Sequence, residues 1–266
     1  MARQKNKKSI FLYDEKIRND YPVVAGIDEA GRGPLAGPVV ASAVILQPGL
    51  FINGLRDSKQ VPEEERKRLF LDITGSSSSI GIGIINADII DKTNILKSTR
   101  LAMEKAVKNL PRPPDILLID AVSLPGLKII QKSIIKGESV SASIAAASII
   151  AKTVRDDIML SYHEEYPHYN FKGHKGYPTK EHVELIRLHG PCPIHRKTFR
   201  KVMELELPLK YVKKLIIVHD LPAARQWPAG LSREDRNTGF RSAFLFLHYC
   251  LFVIFLKYIS KGLYVK

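Results

Sequence analysis

The segment Ser139–Tyr166, SVSASIAAASIIAKTVRDDIMLSYHEEY, limits what this chain can fold into more than any other stretch. It is rich in alanine, opens with serines of the capping type and carries neither glycine nor proline, so its spacing predicts one long helix. Small side chains let such a helix bring its backbone close to the surface it covers, and a sheet is a partner that accepts this. The strands of that sheet are legible upstream. Val23–Ile27 and Pro38–Leu46 are apolar runs joined by the glycine-rich Gly31–Gly37, Ile80–Ile85 alternates Ile with Gly, and Ile116–Ile119 is a compact run ending at Asp120. Leu127–Ile135 reads as a further strand interrupted by Gln131–Ser133, and Gly137-Glu138 turns the chain into the alanine-rich helix. Between them, Glu63–Ile73 and Asn94–Leu110 have helical spacing, the second stopped by Pro111, Pro113 and Pro114. Helices are expected to alternate with strands as far as Leu209. The class is α/β, a mixed sheet flanked by helices, with a C-terminal helical segment and an unassigned tail.

With 266 residues the chain can bury a large core, so neither disulfides nor a structural metal is needed. Its two cysteines, Cys192 and Cys250, exclude a disulfide scaffold and a cysteine-rich zinc site, and Cys192, between two prolines, has no evident nucleophilic partner. The start, MARQKNKKSIFLYDEK, is basic without an apolar run or a small-residue cleavage site, so it does not read as a secretory signal and a cytoplasmic location is expected. The net charge of +14 points to polyanionic partners, nucleic acid first and an anionic membrane second. Lys210–Lys266 holds 10 basic and 3 acidic residues, half of that net charge. In this stretch the apolar run Ala243–Leu256 is short for a membrane span, contains His248 and is followed by Lys257 and Lys261, which suits a buried hairpin or an interfacial helix as well as a crossing.

Carboxylates recur where the apolar strands end: Asp28 and Glu29 after the first, Asp120 after a later one, and Glu138 in the turn before the alanine-rich helix. Strand-end residues can converge on one cleft, and acids brought together repel each other unless a cation shares the site. Oxygen ligands suit Mg²⁺ or Mn²⁺, and two such ions about 4 Å apart can activate a water and stabilise a leaving oxygen. Acids after strands are also common turn formers and helix caps, so spacing alone reaches only metal-dependent phosphate chemistry as one reading.

Particular residues carry a resemblance. The run Gly26-Ile27-Asp28-Glu29-Ala30-Gly31-Arg32-Gly33-Pro34-Leu35-Ala36-Gly37-Pro38 resembles the opening signature of bacterial ribonuclease HII, the type 2 ribonuclease H family. Asp57-Ser58-Lys59, Leu118-Ile119-Asp120, Lys136-Gly137-Glu138, Ala146–Lys152 with Arg155-Asp156, His174–Thr179, and His189-Gly190 followed by His195-Arg196 agree with it in order, from about Val23 to Phe199. The resemblance divides the chain into a basic N-terminal lead (1–22), a catalytic domain (23–209) and an extension of unassigned role (210–266).

What the resemblance implies is a ribonuclease H fold and hydrolysis of RNA in RNA–DNA hybrids, including a cut 5′ of a single ribonucleotide in duplex DNA that leaves 3′-hydroxyl and 5′-phosphate ends. Asp28, Glu29 and Asp120 match the family's metal-binding acids, and Glu138 occupies a fourth position that is commonly Asp. Catalysis would be direct attack by metal-activated water, with Mg²⁺ or Mn²⁺ as cofactor. Gly31, Arg32 and Gly33 match the loop that contacts the ribonucleotide, where glycines permit close approach. Tyr177 matches the tyrosine that packs on the sugar at the RNA-to-DNA junction, a contact that senses shape without reading bases. Ala145, Ser148, Lys152 and Arg155 fall on one helical face, on which Ser148, Lys152 and Arg155 are candidate phosphate contacts, as is Arg196 in its basic group with Lys197, Arg200 and Lys201. His174, His189 and His195 form no zinc motif and read as structural or phosphate-contacting. Type 3 ribonuclease H is the alternative within nucleases, and a non-catalytic nucleic-acid-binding module the alternative outside them. A replication clamp, a monomeric state and membrane contact through the tail stay open at this point.

Overall fold

In a computed structural model of the chain, residues 2–205 are described, with side chains from residue 9 onward. Of the two units into which the chain divides, Met1–Tyr211 and Val212–Lys266, the second lies outside the described residues, and with it the run Ala243–Leu256. Among the described residues no helix is long and apolar enough to cross a membrane.

The elements in chain order are α1 (Ala2–Arg18), β1 (Val24–Ala30), β2 (Val39–Leu46), α2 (Glu63–Ser76), β3 (Ser77–Ile85), α3 (Ala87–Lys92), α4 (Ile95–Lys108), β4 (Ile116–Asp120), β5 (Ile130–Ile134), α5 (Ala142–Glu165), α6 (Phe171–His174) and α7 (Lys180–His189). One five-stranded sheet has the order β3-β2-β1-β4-β5. β1, β2 and β3 form an antiparallel meander, whereas β4 and β5 run parallel to β1, so the sheet is mixed as the sequence predicts. Alternation along the strands divides the core. On one face Ala25, Ile27, Ala41, Ala43, Leu117 and Ile119 pack against Ala102, Met103 and Ala106 of α4. On the other, Val44 and Leu46 meet α5 through Ala142, Ala145, Ala146, Ile149 and Ile150, with α2 closing over them through Leu69 and Ile73.

The alanine stripe has the expected consequence: Ala142, Ala145, Ala146, Ala147 and Ala151 are all fully buried. The approach is so close that a Cβ on Gly26 would run into the backbone of Ser143 and Ile144. A side chain there would push α5 away from β1, the strand that carries Asp28 and Glu29.

Two expectations need correction. Among the described residues strands do not go on alternating with helices: between Ile134 and residue 205 the only strand-like pairing is the isolated bridge Ala36–His195, and the rest is α5, α6, α7, short 3-10 turns, a turn of helix at 200–205 and connecting loops. The strand read over Leu127–Ile135 shrinks to β5, which runs through Gln131–Ser133 without the expected interruption; the Gln131 side-chain amide bonds the backbone of Leu124 and Leu127 and holds the residues before the strand in a turn. The basic lead is itself a helix, and the Asp14 carboxylate of α1, buried, accepts from both the backbone N–H and the hydroxyl of Ser143 at 2.8 Å, tying α1 to the first turn of α5.

Candidate active site

The register of β1 with β4 pairs Ile27 with Ile119, so the next residues along stand on adjacent parallel strands: Asp120 ends β4, whereas Asp28 and Glu29 lie within the last residues of β1, still paired with β2, and not after it as the sequence suggests. Asp28 is 8% exposed, and its Oδ1 accepts the backbone N–H of Glu29 at 2.7 Å. Burial pushes the Asp28 carboxyl well above the usual carboxylate range; the charges of Glu29 and Asp120 push the same way, against hydrogen bonds from the Glu29 N–H and Ser148. Glu29 is raised as well, first by burial and then by Asp120, with Arg32 opposing. Three carboxylates thus repel one another in a poorly solvated cleft.

Glu138 reaches the same place by a turn. Lys136 adopts a left-handed conformation (φ 55°), and the Gly137 N–H that follows donates to Asp120 Oδ1 at 2.9 Å, so Asp120 anchors the 3-10 turn Gly137–Ser139 that carries Glu138. Glu138 Oε2 and Glu29 Oε2 are buried without a hydrogen-bond partner. Lys59 faces the cluster: burial pulls its ammonium down, but Asp57, Asp28, Glu138 and Asp120 outweigh it and hold the group above its ordinary value. The sequence reading quoted Lys59 in a motif and gave it no role, since spacing does not say that the Asp57–Lys59 turn lies over strand ends some 30 and 60 residues away.

These residues fit a hard cation. All donors are oxygens, two of them are orphaned, and the carboxylates are mutually destabilising without a positive partner. Among the described residues no three His, Cys, Asp or Glu side chains form a ready-made cage.

Beside the acids lies the loop between β1 and β2. Gly31 has φ 96°, a left-handed conformation that favours glycine, and a Cβ on it would strike the Arg155 side chain. Arg32 is exposed and pairs with Glu29 at 3.2 Å. A Cβ built on Gly33 would stand 4.0 Å from the Tyr177 ring, and Tyr177 is 40% exposed, so the loop and the tyrosine present one surface. Lys152 Nζ lies 5.7 Å from the centre of that ring while paired with Asp156 at 2.6 Å, an acid that Arg66 also reaches.

The phosphate-contact reading fails for two arginines. Arg155 is fully buried and donates to the carbonyls of Pro38, Lys175 and Ala36. Arg196 is fully buried and donates to those of Gly31, Arg32, Pro34 and Gly37. Arg196 spends its whole fork on backbone carbonyls, and Arg155, bonded to three, is 0% exposed, so neither presents a donor to a phosphate outside the protein. Helical spacing places residues on a face but does not say whether that face meets solvent or a loop folded over it. Ser148 is buried too; its hydroxyl bonds Ser58 at 2.8 Å and the Asp28 carboxylate, joining the acid cluster instead of an open helix face.

Of the histidines, His174 and His195 are buried in a cluster whose third member, His182, carried no signal in the sequence. His189 instead packs its ring against His168 and Tyr169. Cys192 Sγ lies 3.1 Å from His195 Nδ1, but burial pushes the thiol up to about 11, so it is no activated nucleophile.

Known proteins share this arrangement. A relative from Acetivibrio thermocellus, a ribonuclease HII, is 53% identical over 187 residues, 70% of this chain and 73% of the relative. Another ribonuclease HII, from Geobacter metallireducens, is 48% identical over 203 residues, 76% of this chain and 95% of the relative. Among solved structures, the ribonuclease H2 of Pyrococcus horikoshii superposes with a TM-score of 0.60 at 26% identity over 71% of this chain and 99% of that one. A ribonuclease HII of Archaeoglobus fulgidus, solved in complex with PCNA, superposes at 0.53 with 21% identity over 67% of this chain and 95% of that one, a likeness of fold alone. The ribonuclease HII family profile matches residues 25–202, which takes in the acid cluster, the glycine loop and Tyr177, and by that match and those identities the chain belongs to the ribonuclease HII family.

Proposed function

We propose that this ribonuclease hydrolyses the RNA strand of RNA–DNA hybrids and cuts 5′ of a single ribonucleotide embedded in duplex DNA, leaving 3′-hydroxyl and 5′-phosphate ends. The observation that carries the reading is the buried carboxylate cluster with two orphaned oxygens, standing beside an exposed glycine loop and aromatic ring. Asp28, Glu29, Asp120 and Glu138 would hold two divalent cations, Mg²⁺ or Mn²⁺, which when bound supply an activated water and stabilise the leaving oxygen. The chain's own part is geometric and electrostatic. Asp28 and Asp120 are fixed by adjacent strands, and Asp120 also holds the turn of Glu138, so three of the four acids move as one rigid body. Gly33, exposed, leaves room for a sugar edge to approach backbone groups, and Tyr177 offers its face to the same sugar, a pairing that detects a 2′-hydroxyl without reading a base. Arg32, exposed and paired with Glu29, and Lys152, largely buried and paired with Asp156, are the cations flanking that surface, and backbone phosphates would compete with those carboxylates for them. A sliding clamp is a further proposed partner, to be tested by gel filtration with the purified clamp, and a cytoplasmic monomer is the working state.

The test is cleavage of an end-labelled DNA duplex with one ribonucleotide, in Mg²⁺, Mn²⁺ or chelator, beside an all-DNA duplex and an Asp120→Asn control. A metal-dependent cut immediately 5′ of the ribonucleotide, absent from both controls, is the expected result. Binding without cutting in either metal would overturn it in favour of a non-catalytic binding module.

A further inference from the structure

The two groups proposed above to sense the ribose sit on different segments, the loop at Gly31–Gly33 and the turn at Tyr177, and two consecutive residues reach both. Arg196 reaches the loop. Its Nη2 donates to Gly31 O at 2.6 Å and Gly37 O at 2.9 Å, its Nη1 to Pro34 O at 2.8 Å and Arg32 O at 3.1 Å, and its Nε to Gly37 O at 3.0 Å. It makes no ion pair among the described residues, so the whole fork serves the loop backbone.

His195 reaches the turn through a second ring. Its Nδ1 accepts the Cys192 N–H at 2.9 Å, which leaves the ring proton on Nε2, facing His182 Nε2 at 3.0 Å. His182 must accept there, so its own proton is on Nδ1, which donates to Tyr177 O at 2.9 Å. His174, stacked on His182 at 4.2 Å, accepts the Gly176 N–H at 3.1 Å. The two segments are also joined directly, Leu35 N–H to Gly176 O at 2.8 Å and Arg196 N–H to Leu35 O at 2.8 Å.

We propose that His195 and Arg196 are a pair of positioning residues for substrate selection: Arg196 sets the Gly31–Gly37 loop, His195 acting through His182 sets Tyr177, and together they fix the gap that receives the ribose. The proposal rests on the reading of that loop and ring as the ribose contacts. It explains why a buried guanidinium and a relay of buried imidazoles meet at adjacent positions. Neither side chain touches substrate; Arg196 holds the loop carbonyls directly, and His195 holds the Tyr177 carbonyl through His182.

The experiment compares wild type with Arg196→Ala, Arg196→Lys, His182→Leu and His182→Gln, measuring kcat and KM on the one-ribonucleotide duplex and on a continuous RNA–DNA hybrid, with melting temperatures alongside. Arg196→Ala and His182→Leu are expected to lose about tenfold or more in kcat/KM on the one-ribonucleotide duplex, and less on the hybrid, where neighbouring riboses offer alternative registers. Added guanidinium should restore part of the Arg196→Ala loss. Lysine, a point charge without the fork, should not replace Arg196, whereas Gln, which carries both a donor and an acceptor, should largely replace His182. The proposal is overturned if folded variants keep the wild-type ratio between the two substrates, or lose both activities only in step with the fraction unfolded. His182→Gln and His182→Leu share any effect of removing the ring, so their difference reports the hydrogen bond even if Arg196→Ala does not fold. Failure of the wild-type protein to cut the one-ribonucleotide duplex would instead overturn the underlying functional reading, an outcome the wild-type lane alone reveals.

Discussion

The acid cluster and the buried clamp formed by Arg155, Arg196, His182 and His195 both draw ionisable groups out of solvent and treat them in opposite ways. In the cluster Asp28 is 8% exposed, Glu29 and Glu138 each leave an oxygen without a partner, and the carboxyls of Asp28 and Glu29 are driven up by burial and by one another's charge. In the clamp Arg155, Arg196, His182 and His195 are at most 1% exposed, and none of them has an unpaired polar atom. A buried polar atom left unpaired costs about 1–3 kcal/mol, so it persists where something outside the chain completes it. Where every donor is spent inside, the group can only hold its neighbours. Between these two regions the difference is satisfaction: the acids keep unpaired oxygens, and the clamp keeps none.

The largest expected effect breaks the unsatisfied side. Asp120→Asn removes a charge that cation binding needs while keeping an oxygen for the Gly137 N–H, and should lower cleavage by about a thousandfold or more with hybrid binding retained. Equal cleavage by this variant would remove Asp120 from the chemistry. Next is the satisfied side: Arg196→Ala leaves four backbone carbonyls facing a void and should cost about 3 kcal/mol or more of folding stability by urea denaturation. A cost under about 1 kcal/mol would mean that water enters and replaces the guanidinium.

Stability against pH reads the two regions with opposite signs. Burial brings His182 down to about 4 and His195 to about 3, from an ordinary 6.5. The ionisable groups facing these rings are His174, Glu181 and Cys192. Their stabilisation is complete above about pH 6.5. Below it the unfolded chain takes up protons first, and stability falls by about 1.4 kcal/mol per pH unit for each ring until the folded values are reached. Asp28 and Glu29, raised in the fold, behave the other way: their penalty applies while they are ionised at neutral pH and lifts as pH falls through the folded values. His182→Gln should therefore flatten the dependence of the urea midpoint between pH 6.5 and about pH 4, whereas Asp28→Asn should raise neutral stability and steepen the fall into acid. Parallel pH curves for both variants and the wild type would dissolve the distinction.

How much of this was legible in the sequence follows the same division. The long helix, the strands β1 to β4 and the acids at their ends were readable because periodicity and turn residues are local, and the order of the motifs carried the family. The clamp was not readable. Arg196 lies 165 positions from the Gly31 carbonyl it holds, and a basic residue among Lys197, Arg200 and Lys201 looks the same whether it faces solvent or a ring of carbonyls. His182, a single imidazole on α7, acquires meaning only when α7 brings it within 3.0 Å of His195. Contacts that satisfy buried groups are long-range by nature, so their residues are the ones a one-dimensional reading misplaces.

The smallest expected effect concerns Glu138, the acid carried by a turn and not by a strand. Glu138 sits on a turn anchored to Asp120, and its Oε2 is buried without a partner, so the longer side chain already carries its carboxylate into the unsatisfied cluster. Glu138→Asp withdraws that carboxylate by one methylene without changing its charge. Because a divalent cation of this kind keeps waters in its shell, a water can bridge the added gap at modest cost. Cleavage at saturating Mg²⁺ should stay within about threefold of wild type, and the Mg²⁺ concentration for half-maximal activity should rise a few-fold. The comparison with Glu138→Gln sharpens this, since Gln keeps the length and removes the charge. If Gln is tolerated and Asp is not, Glu138 belongs with the positioning groups behind the cleft; if Asp is tolerated and Gln is not, its charge completes the cluster.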